Sequence, residues 1–524
     1  MKSPAGAILP GFFFARFPMP NRLAKRVWPA MRAAMTDTSK TPPVAPVVAV
    51  AAGDGIGPEI TDAALRILDT AGARYETRTI RLGEELYKSG HSSGIGPGTW
   101  DTLAQADALF KGPITTPLGS GYKSLNVTLR KTLGLFANVR PCRSLHPAVQ
   151  TLHPELDIVI VRENEEDLYA GIEHRQTHEV FQTLKLVSRP GTERIIRYAF
   201  DYCRANNRKK LTCFTKSNIM KLTDGLMQNV FEEIGKEYPD IEQHHMIIDI
   251  ASARLAARPQ DFDVIVTSNL YGDIVSDIAA ELTGSVGLGA SANIGASLSM
   301  FEAIHGSAPD IAGKKIANPS GLVLAGVMMM NHLGQGDVAA KVHNAWLKTI
   351  EDGLHTGDIY REGSSKQRLG TQEFADAVIE RLGAKPETFA PVAYEDDSAV
   401  AVAPYTRPSE SERETRKLVG VDVFAMSTKI PEDLADELRK ACDERATLTM
   451  LTNRGIMVWP AHNPATFCTD HWRCRFKFDG DAAVQPSEIT NLLSRLVDQG
   501  TDVIKTENLY EFDGKPGYSL GQGQ

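Results

Sequence analysis

The sequence lacks several features that would assign it directly to a class of protein. Its 524 residues contain no apolar run approaching the roughly 20 residues that span a bilayer. No block of Lys or Arg offsets the net charge of −8, so we predict neither a membrane nor a nucleic-acid partner. The six cysteines form no CxxC pair, which is typical of thiols in a reducing compartment. The 42% hydrophobic content favours a globular protein, and the length favours about two to four domains.

The closest approach to a zinc pattern is formed by Cys468, His471 and Cys474. Residues 471–478, however, alternate apolar side chains with His, Arg and Lys, and a period of two is typical of a half-buried strand. We therefore predict a strand here rather than a zinc site.

The first 36 residues carry Lys or Arg at six positions and no acidic residue. This composition resembles a transit peptide, or an upstream start codon placed before a natural start at Met35. Pro10 and Arg16 interrupt the apolar stretch, which disfavours a secretory signal. We predict that residues 1–44 are disordered and lie outside the fold. The predicted location is cytoplasmic, or the mitochondrial matrix if residues 1–36 are a transit peptide.

Strand-like runs alternate with amphipathic stretches from residue 47 onwards, which predicts an α/β protein with a largely parallel sheet. The strand runs are 47–51, 108–111, 158–162, 211–215, 246–249 and 264–268. A polar segment containing several prolines predicts a linker over 396–416. Beyond it, the order of strands and helices predicts a separate α+β, ferredoxin-like domain over 417–524.

Ser124, Asn126, Arg130, Arg140 and Arg162 form a candidate substrate site. Three guanidiniums that reach one pocket bind a compact polyanion through forked, charge-assisted hydrogen bonds. A hydroxyl and an amide beside them distinguish a substrate with a carboxylate-bearing side group from one with an apolar side group. Taken alone, the same residues also fit a solvated basic helix.

Asp273 and Asp277 are four residues apart, which places both carboxylates on one face of a helix. Two adjacent carboxylates repel unless a cation lies between them, and hard oxygen ligands suit Mg²⁺ or Mn²⁺. Asp249, at the end of a predicted strand, is a candidate third ligand. A solvated acidic face is the alternative for the pair alone.

Tyr169 and Lys216 are candidates for proton donor and acceptor, because a phenol and an amine next to cations or a metal can have lowered pKa values. Each residue by itself also fits an ordinary surface position. The segment 305–319 is rich in small residues, and such loops bring backbone N–H groups close to phosphates. It is not GxGxxG, so a Rossmann fingerprint is missing.

These pieces occur in one order and resemble a known family. The matching segments are GDGIGPEI, KGPITTP, SLNVTLRKTLGLFANVRP, RENEEDLYAGIE, KSNIMK, the stretch from Asp249 to Asp277, and FEAIHGSAPDIAGKKIANP. They span about residues 46–395 and resemble the β-decarboxylating dehydrogenases, specifically the isocitrate dehydrogenases. The tail resembles the extra C-terminal domain of a longer subset of these enzymes.

The resemblance implies the isocitrate/isopropylmalate dehydrogenase fold, which is not a Rossmann fold, and oxidative decarboxylation of isocitrate to 2-oxoglutarate. It implies that the candidate substrate site holds the carboxylates of isocitrate and that the three aspartates bind Mg²⁺ or Mn²⁺. Lys216 would help to remove the hydroxyl proton, and Tyr169 would protonate the enolate. The implied cofactor contacts are Thr116, Asn218, Glu302, His305, Gly306, Asp310, Ile311 and Asn318.

The resemblance also implies the domain organisation and the assembly. A discontinuous large domain would comprise 45–135 and 284–395, and a small domain would comprise 136–283 with a dimer clasp near 167–190. Lys216 and Asp249 would reach the active site of a second subunit, so a homodimer or a higher homo-oligomer is expected.

One departure from the family pattern concerns the cofactor. NADP-using members carry Lys-Tyr where this chain has Asp310-Ile311, and the lysine neutralises the 2′-phosphate. A carboxylate accepts hydrogen bonds from a free ribose 2′-hydroxyl but repels a phosphate. Gly357 also falls near the position of a phosphate-contacting tyrosine. We therefore predict NAD, with NADP as the alternative if a nearby cation in the C-terminal domain compensates.

Three other functions compete with this one. Isopropylmalate and homoisocitrate dehydrogenases share the metal, Lys and Tyr machinery, but an isopropyl group would bury Ser124 and Asn126 unfavourably. A non-catalytic regulatory subunit of the same fold is the third alternative. Such a subunit would be expected to lose some of the Arg, Lys, Tyr or Asp positions, all of which are present here.

Overall fold

The computed structural model covers most of the chain, from residue 45 to residue 521 with several gaps. The described residues are 45–91, 93–116, 124–394, 413–461, 465–480 and 483–521. Residues 1–44, the predicted N-terminal extension, lie outside these ranges, as do residues 396–412 of the predicted linker. No helix within the described ranges is long and apolar enough to cross a membrane.

The first part of the chain alternates strands and helices. In chain order they are β1 (Val47–Ala51), α1 (Gly57–Ala71), β2 (Glu76–Thr79), α2 (Glu84–Lys88), α3 (Thr99–Leu103), β3 (Ala108–Lys111), α4 (Leu125–Thr132), β4 (Leu135–Arg143), β5 (Asp157–Glu163), β6 (Glu173–Arg175), β7 (Phe181–Thr183), α5 (Arg189–Ala205), β8 (Lys210–Thr215), α6 (Thr223–Gly235), β9 (Glu242–Ile247), α7 (Ile248–Ala257), β10 (Val264–Thr267), α8 (Asn269–Leu282), β11 (Ala290–Gly295), β12 (Ser299–Ala303), α9 (Ser320–His332), α10 (Gly336–Glu351), β13 (Leu354–Thr356), β14 (Gln367–Leu369) and α11 (Thr371–Ile379). Single 3₁₀ turns lie at Leu168–Ala170, Pro259–Asp261, Val286–Leu288 and Pro309–Ile311.

Ten of these strands form one sheet in the order β2-β1-β3-β12-β11-β4-β5-β10-β8-β9. Six of its nine neighbouring pairs are parallel, which confirms the predicted largely parallel core. The other three pairs are antiparallel and join β12, β11, β4 and β5 at the centre. Parallel strands covered on both faces read as continuous apolar runs, as VVAVA in β1 does.

One predicted boundary is wrong in a way that affects the candidate metal site. The predicted strand 246–249 ends at Ile247, and Asp249 lies in the first turn of α7. The first turn of a helix favours a carboxylate, because the unpaired N–H groups there carry partial positive charge. Asp249 is therefore presented by a helix rather than by a strand end.

Residues beyond 413 form a second, antiparallel sheet. Its elements are β15 (Arg416–Met426), α12 (Pro431–Arg439), β16 (Ala446–Asn453), β17 (Ile456–Trp459), β18 (His471–Phe478), α13 (Pro486–Asp498), β19 (Asp502–Phe512) and β20 (Lys515–Pro516). The order β17-β16-β18-β15-β19-β20 contains the four-stranded ferredoxin-like arrangement, with β17 and β20 added at the edges. The predicted fold of this region and the predicted strand over 471–478 are both confirmed.

The C-terminal sheet contacts the region predicted as a dimer clasp. The Thr177 hydroxyl and the His178 amide donate hydrogen bonds to the Asp470 carboxylate. The Asp470 amide in turn donates to Glu179 Oε2 at 2.9 Å. These contacts tie the connection between β6 and β7 to the start of β18.

Candidate active site

Three buried arginines converge beside helix α8. Arg130 comes from α4, Arg140 from β4 and Arg162 from β5, and their exposed fractions are 8%, 4% and 0%. The predicted strands and helix therefore bring together guanidiniums that are far apart in sequence. The alternative of a solvated basic helix is wrong, because these side chains are turned away from bulk water.

Arg162 is fixed against the first turns of α8. Its Nε and Nη2 atoms donate to Asn269 Oδ1 at 3.1 and 2.7 Å, and its Nη1 pairs with Asp273. Gly272 permits this approach, since a Cβ there would lie 2.4 Å from the Arg162 side chain. Burial and the positive charges of Arg140 and Arg130 together lower the pKa of Arg162 to about 10. The fold therefore holds three cations close together although they repel one another.

Arg140 reaches the next turn of the same helix. Its Nη1 donates to Ser276 Oγ at 2.7 Å and lies 3.3 Å from Asp277 Oδ1. Its Nε donates to Asn138 Oδ1 at 2.6 Å. The guanidinium is thus oriented by groups that the sequence analysis did not select, namely Asn138 and Ser276.

Glu302 is the buried carboxylate that contacts Arg130 in this cluster. Its two oxygens lie 2.7 Å from Lys111 Nζ and 3.0 Å from Arg130 Nη2, and all three side chains are almost fully buried. Asn293 Nδ2 donates to the same carboxylate at 2.8 Å. Burial opposes ionisation, but Lys111 and Arg130 outweigh it and hold the pKa of Glu302 well below its usual range. Glu302 therefore fixes Arg130, although its predicted role was contact with the cofactor.

Lys111, Asn138 and Asn293 are the members of this network that sequence reasoning missed. Each is a polar residue inside a run of buried strand residues. A lysine or an amide with almost no exposure needs a buried partner. That mismatch with the apolar pattern is the signal by which they could have been found.

Tyr169 lies in the turn Leu168–Ala170 and points at the arginine cluster. Its hydroxyl donates to Asp273 Oδ2 at 2.5 Å, and the Arg162 guanidinium lies 5.0 Å from its ring centre. Burial and the hydrogen bond to Asp273 raise the pKa of Tyr169 above its usual value, so the predicted lowering is wrong for this residue. The phenol therefore stays protonated near neutral pH and is suited to donating a proton.

Helix α4 presents the remaining substrate candidates. Asn126 and Arg130 are four residues apart on one face, and Ser124 lies just before the first turn. Asn126 Oδ1 and Arg130 Nε are buried without a hydrogen-bond partner among the described residues. Buried polar atoms are rarely left unpaired unless a ligand or water completes them.

Asp273 and Asp277 lie one turn apart, and both face the arginines. Burial opposes ionisation of Asp273, but Arg162 and Arg140 outweigh it and lower the pKa of its carboxyl. Burial raises the pKa of Asp277, whose side chain is nevertheless 64% exposed. The two carboxylates thus offer oxygen ligands at the rim of the site.

Lys216 and Asp249 lie in a second cluster. Lys216 Nζ donates to Asp249 Oδ1 at 2.6 Å, and this bond lowers the pKa of Asp249. Asn218, two residues further on, is exposed. Within one chain, no three His, Cys, Asp or Glu side chains of the described ranges converge as a cation site. The structure therefore does not bring Asp249 to Asp273 and Asp277 inside a single subunit.

The loop predicted to approach the cofactor lies beside the turn after β1. Ser307 accepts a backbone hydrogen bond from Ile56, and its Oγ lies 2.7 Å from that of Thr115. His305 Nε2 is buried without a partner among the described residues, and Gly306 has open space around it. Thr116 is exposed and lies 3.4 Å from Ser124 Oγ, which joins this loop region to the substrate candidates.

The far end of the same loop carries the residues on which the NAD prediction rests. Asp310 is exposed, Ile311 is partly buried, and Asn318 donates to Asp358 Oδ2 at 3.0 Å. A Cβ on Gly357 would lie 2.7 Å from Arg368 Nη2. The Arg368 guanidinium therefore fills the place next to Gly357 where NADP-using members are expected to carry a tyrosine.

Sequence comparison agrees with this geometry. The family model described as isocitrate/isopropylmalate dehydrogenase matches residues 47–378, which is more than half of the chain. The chain belongs to this family. A second model, described as the C-terminal domain of bacterial isocitrate dehydrogenase, matches residues 416–524.

Relatives within the family match almost the whole chain. Isocitrate dehydrogenase [NADP] of Rickettsia bellii is 53% identical over 91% of this chain and 99% of its own length. The enzyme of the same name from Thermus thermophilus is 42% identical over 91% of this chain and 96% of its own. The crystal structure of the TT0538 protein from Thermus thermophilus superposes with a TM-score of 0.83 at 41% identity, covering 91% and 96% of the two chains.

The prediction of NAD as the cofactor is wrong, because these family members are named for NADP. The physical reason lies in the surroundings of Asp310. This carboxylate is exposed, so water and salt screen its repulsion of a phosphate. The Arg368 side chain, from the middle of β14, lies beside Gly357, which follows β13, and the sequence pattern alone does not locate this contact.

Proposed function

We propose that the chain catalyses the NADP-dependent oxidative decarboxylation of isocitrate to 2-oxoglutarate and CO₂. The observation that carries the proposal is the buried cluster of Arg130, Arg140 and Arg162, with unpartnered polar atoms on Asn126 and Arg130 facing it. A polyanion of several carboxylates accepts a hydrogen bond from Arg130 Nε and compensates the buried positive charge, and a substrate hydroxyl can donate to Asn126 Oδ1.

Ser124 and Asn126 favour isocitrate over isopropylmalate. Both present polar atoms on the same helix as Arg130. An isopropyl group placed against them would leave the Asn126 amide without a partner, at a cost of about 1–3 kcal/mol. The third carboxylate of isocitrate accepts hydrogen bonds there instead.

A divalent cation fits the carboxylates at the rim of the site. Asp273 and Asp277 would hold Mg²⁺ or Mn²⁺ together with Asp249 of a second copy of the chain, since all three offer hard oxygen ligands. When bound, the cation polarises substrate oxygens and stabilises the negative charge that develops on them. The guanidiniums of Arg140 and Arg162 keep Asp273 ionised for this role.

The chain's own residues hold the substrate and move its protons. The arginines bind and orient the substrate carboxylates, and NADP, when bound, would supply the hydride acceptor. Lys216 of a second copy of the chain helps to remove the C2 hydroxyl proton. Tyr169, kept protonated by burial and by Asp273, returns a proton to the enolate after CO₂ leaves.

A homodimer with shared sites explains the separation of the two clusters. Lys216 and Asp249 pair with each other at the surface of one subunit, away from Tyr169 and Asp273. Large apolar side chains near them are exposed, as a subunit interface requires; these are Ile219 at 66%, Leu222 at 51%, Ile250 at 49% and Ile274 at 52%.

The remaining organisation is proposed on the same basis. The large domain comprises 45–135 and 284–395, the small domain 136–283, and the C-terminal domain 417–524. The hairpin of β6 and β7 lies within the proposed clasp, and its strands are largely exposed. The bacterial relatives support a cytoplasmic location.

We expect purified protein with Mg²⁺ to reduce NADP using isocitrate, with kcat/KM at least tenfold lower for NAD, since one charge-assisted phosphate contact contributes about 1.5–3 kcal/mol. Isopropylmalate and homoisocitrate should give far lower kcat/KM than isocitrate. Initial-rate kinetics with each substrate and cofactor measure both preferences. Equal turnover of isocitrate and isopropylmalate would overturn the substrate assignment, and a preference for NAD would overturn the cofactor assignment.

Arg368→Gln tests the cation beside Gly357. The change should raise KM for NADP about tenfold, because a charge-assisted contact to the 2′-phosphate is lost. KM for NAD should stay within about twofold, since NAD lacks that phosphate. Arg381→Gln is the matched control, because Arg381 pairs with Asp352 at 2.8 Å and should leave both values unchanged. An equal change for NAD and NADP would show that Arg368 acts on the fold rather than on the phosphate.

A further inference from the structure

A buried lysine bridges the segments that carry the two proton-transfer residues. Lys185 Nζ lies 3.0 Å from Asp167 Oδ1 and 3.0 Å from Asp224 Oδ1. The exposed fractions of the three side chains are 12%, 1% and 3%. The centre of the Tyr271 ring lies 4.7 Å from the ammonium group. No step of the mechanism above uses this trio.

Asp167 holds the turn that carries Tyr169. It lies two residues before Tyr169, and its backbone has φ +64°, a left-handed conformation that is strained for a residue with a side chain. Its amide donates to Leu186 O at 2.8 Å, and its Oδ2 accepts the Leu270 amide at 2.8 Å. The ion pair with Lys185 thus fixes the strained residue from which the tyrosine turn departs.

Asp224 holds the segment that carries Lys216. Its Oδ2 accepts the backbone N–H of Lys216 at 2.6 Å, while its Oδ1 faces Lys185. The same carboxylate therefore connects the buried ammonium to the residue whose side chain reaches Asp249. Burial opposes the charge on Lys185, but Asp167 and Asp224 outweigh it and raise its pKa, so the bridge stays ionised.

We propose that Lys185 is a positioning residue that couples Tyr169 of one active site to Lys216, which the same chain contributes to the other site. The coupling rests on the shared sites of the proposed function. Removing the ammonium leaves Asp167 and Asp224 as buried like charges, which must separate or take up protons. Either response moves the tyrosine turn and the Lys216 segment together.

Hybrid dimers test the coupling. Differently tagged Tyr169→Phe and Lys216→Met chains are combined and the heterodimer is isolated, so that one site has both groups and the other has neither. Lys185→Met is then placed on one chain or on the other. We expect either placement to lower kcat of the single intact site about 10–10²-fold, with KM for isocitrate within about twofold, because small misplacements of reacting groups have effects of this size.

The controls separate positioning from loss of folding. Lys348 also bridges two carboxylates, at 3.2 Å from Glu351 and 3.0 Å from Asp352, so Lys348→Met in either chain should leave kcat unchanged. Lys185→Gln, which keeps hydrogen-bonding groups of similar size, replaces Lys185→Met if that chain does not fold. Lys185→Arg, which keeps the charge, should restore most of the rate.

The outcomes also separate the coupling from the proposed function. An effect from only one placement, or from neither, overturns the coupling while the shared site stands. An effect on KM alone, with kcat unchanged, overturns it as well. A hybrid without activity before any change at Lys185 rejects the shared site itself, and the coupling with it.

Discussion

Tyr169→Phe is expected to lower kcat about 10²–10⁴-fold, the range that a positioned general acid contributes. The phenol of Tyr169 is partly buried, and its proton is hydrogen-bonded to Asp273 beside the arginine cluster, at 2.5 Å. Its raised pKa keeps that proton on the oxygen at neutral pH. Phenylalanine keeps the ring and its contact with Arg162, so KM for isocitrate should change little.

Steady-state kinetics on the variant give kcat and KM, and Tyr75→Phe is the matched control. Tyr75 also donates to a carboxylate, Asp69 Oδ1 at 2.7 Å, but it lies outside the arginine cluster. Its loss should leave kcat within about twofold of the unchanged enzyme, since this exposed bond is not made to any group of the arginine cluster. A Tyr169→Phe enzyme with near-normal kcat would remove the tyrosine from the proposed mechanism.

Asp422→Leu is expected to destabilise the C-terminal domain by about 3–5 kcal/mol, because it leaves a buried arginine without its partner. Arg475 Nε and Nη2 each donate to Asp422 at 2.7 Å, in a forked pair between β15 and β18. The two residues are 2% and 3% exposed. The double variant Asp422→Leu/Arg475→Met should recover most of the loss, since an apolar pair has no charge to compensate.

Urea unfolding followed by tryptophan fluorescence measures the effect, because Trp472 lies on β18 in the core of this sheet. Glu507→Gln is the control within the same domain. Its partner Lys505 lies 2.7 Å away, but the carboxylate side chain is 55% exposed, so the change should cost less than about 1 kcal/mol. Equal destabilisation by the single and the double variants would show that packing, and not the charge, accounts for the loss.

Much of the fold followed from patterns that act locally. The apolar run of β1, the alternation in β18 and the four-residue spacing of Asp273 and Asp277 each predicted an element that the structure contains. The antiparallel centre of the large sheet did not follow from the residues themselves, because buried strands read alike in either direction. The end of β9 was misplaced because Ile247 and Ile248 are both apolar and give no boundary signal.

The candidate site likewise contains residues that local sequence patterns predicted and residues that only contacts distant in sequence reveal. Arg130, Arg140 and Arg162 were selected by residue type and by family spacing, and the structure brings them together. Lys111 and Asn293 were missed because their role depends on contacts with residues far away in sequence. The cofactor preference failed for a related reason. The prediction rested on Asp310, Ile311 and Gly357 as residue types, whereas the pairing of β13 with β14 places the Arg368 guanidinium beside Gly357.

The charged side chains around Glu302 nearly balance one another in the candidate site. Lys111 and the three arginines contribute four positive charges, while Glu302, Asp273 and Asp277 contribute three negative ones. One positive charge is left over. A tricarboxylate trianion and a divalent cation together carry one negative charge, so their joint entry brings this low-dielectric region to neutrality, whereas the trianion alone would leave it doubly negative. If substrate and cation bind as proposed, the charges of this cluster match their chelate rather than the free acid.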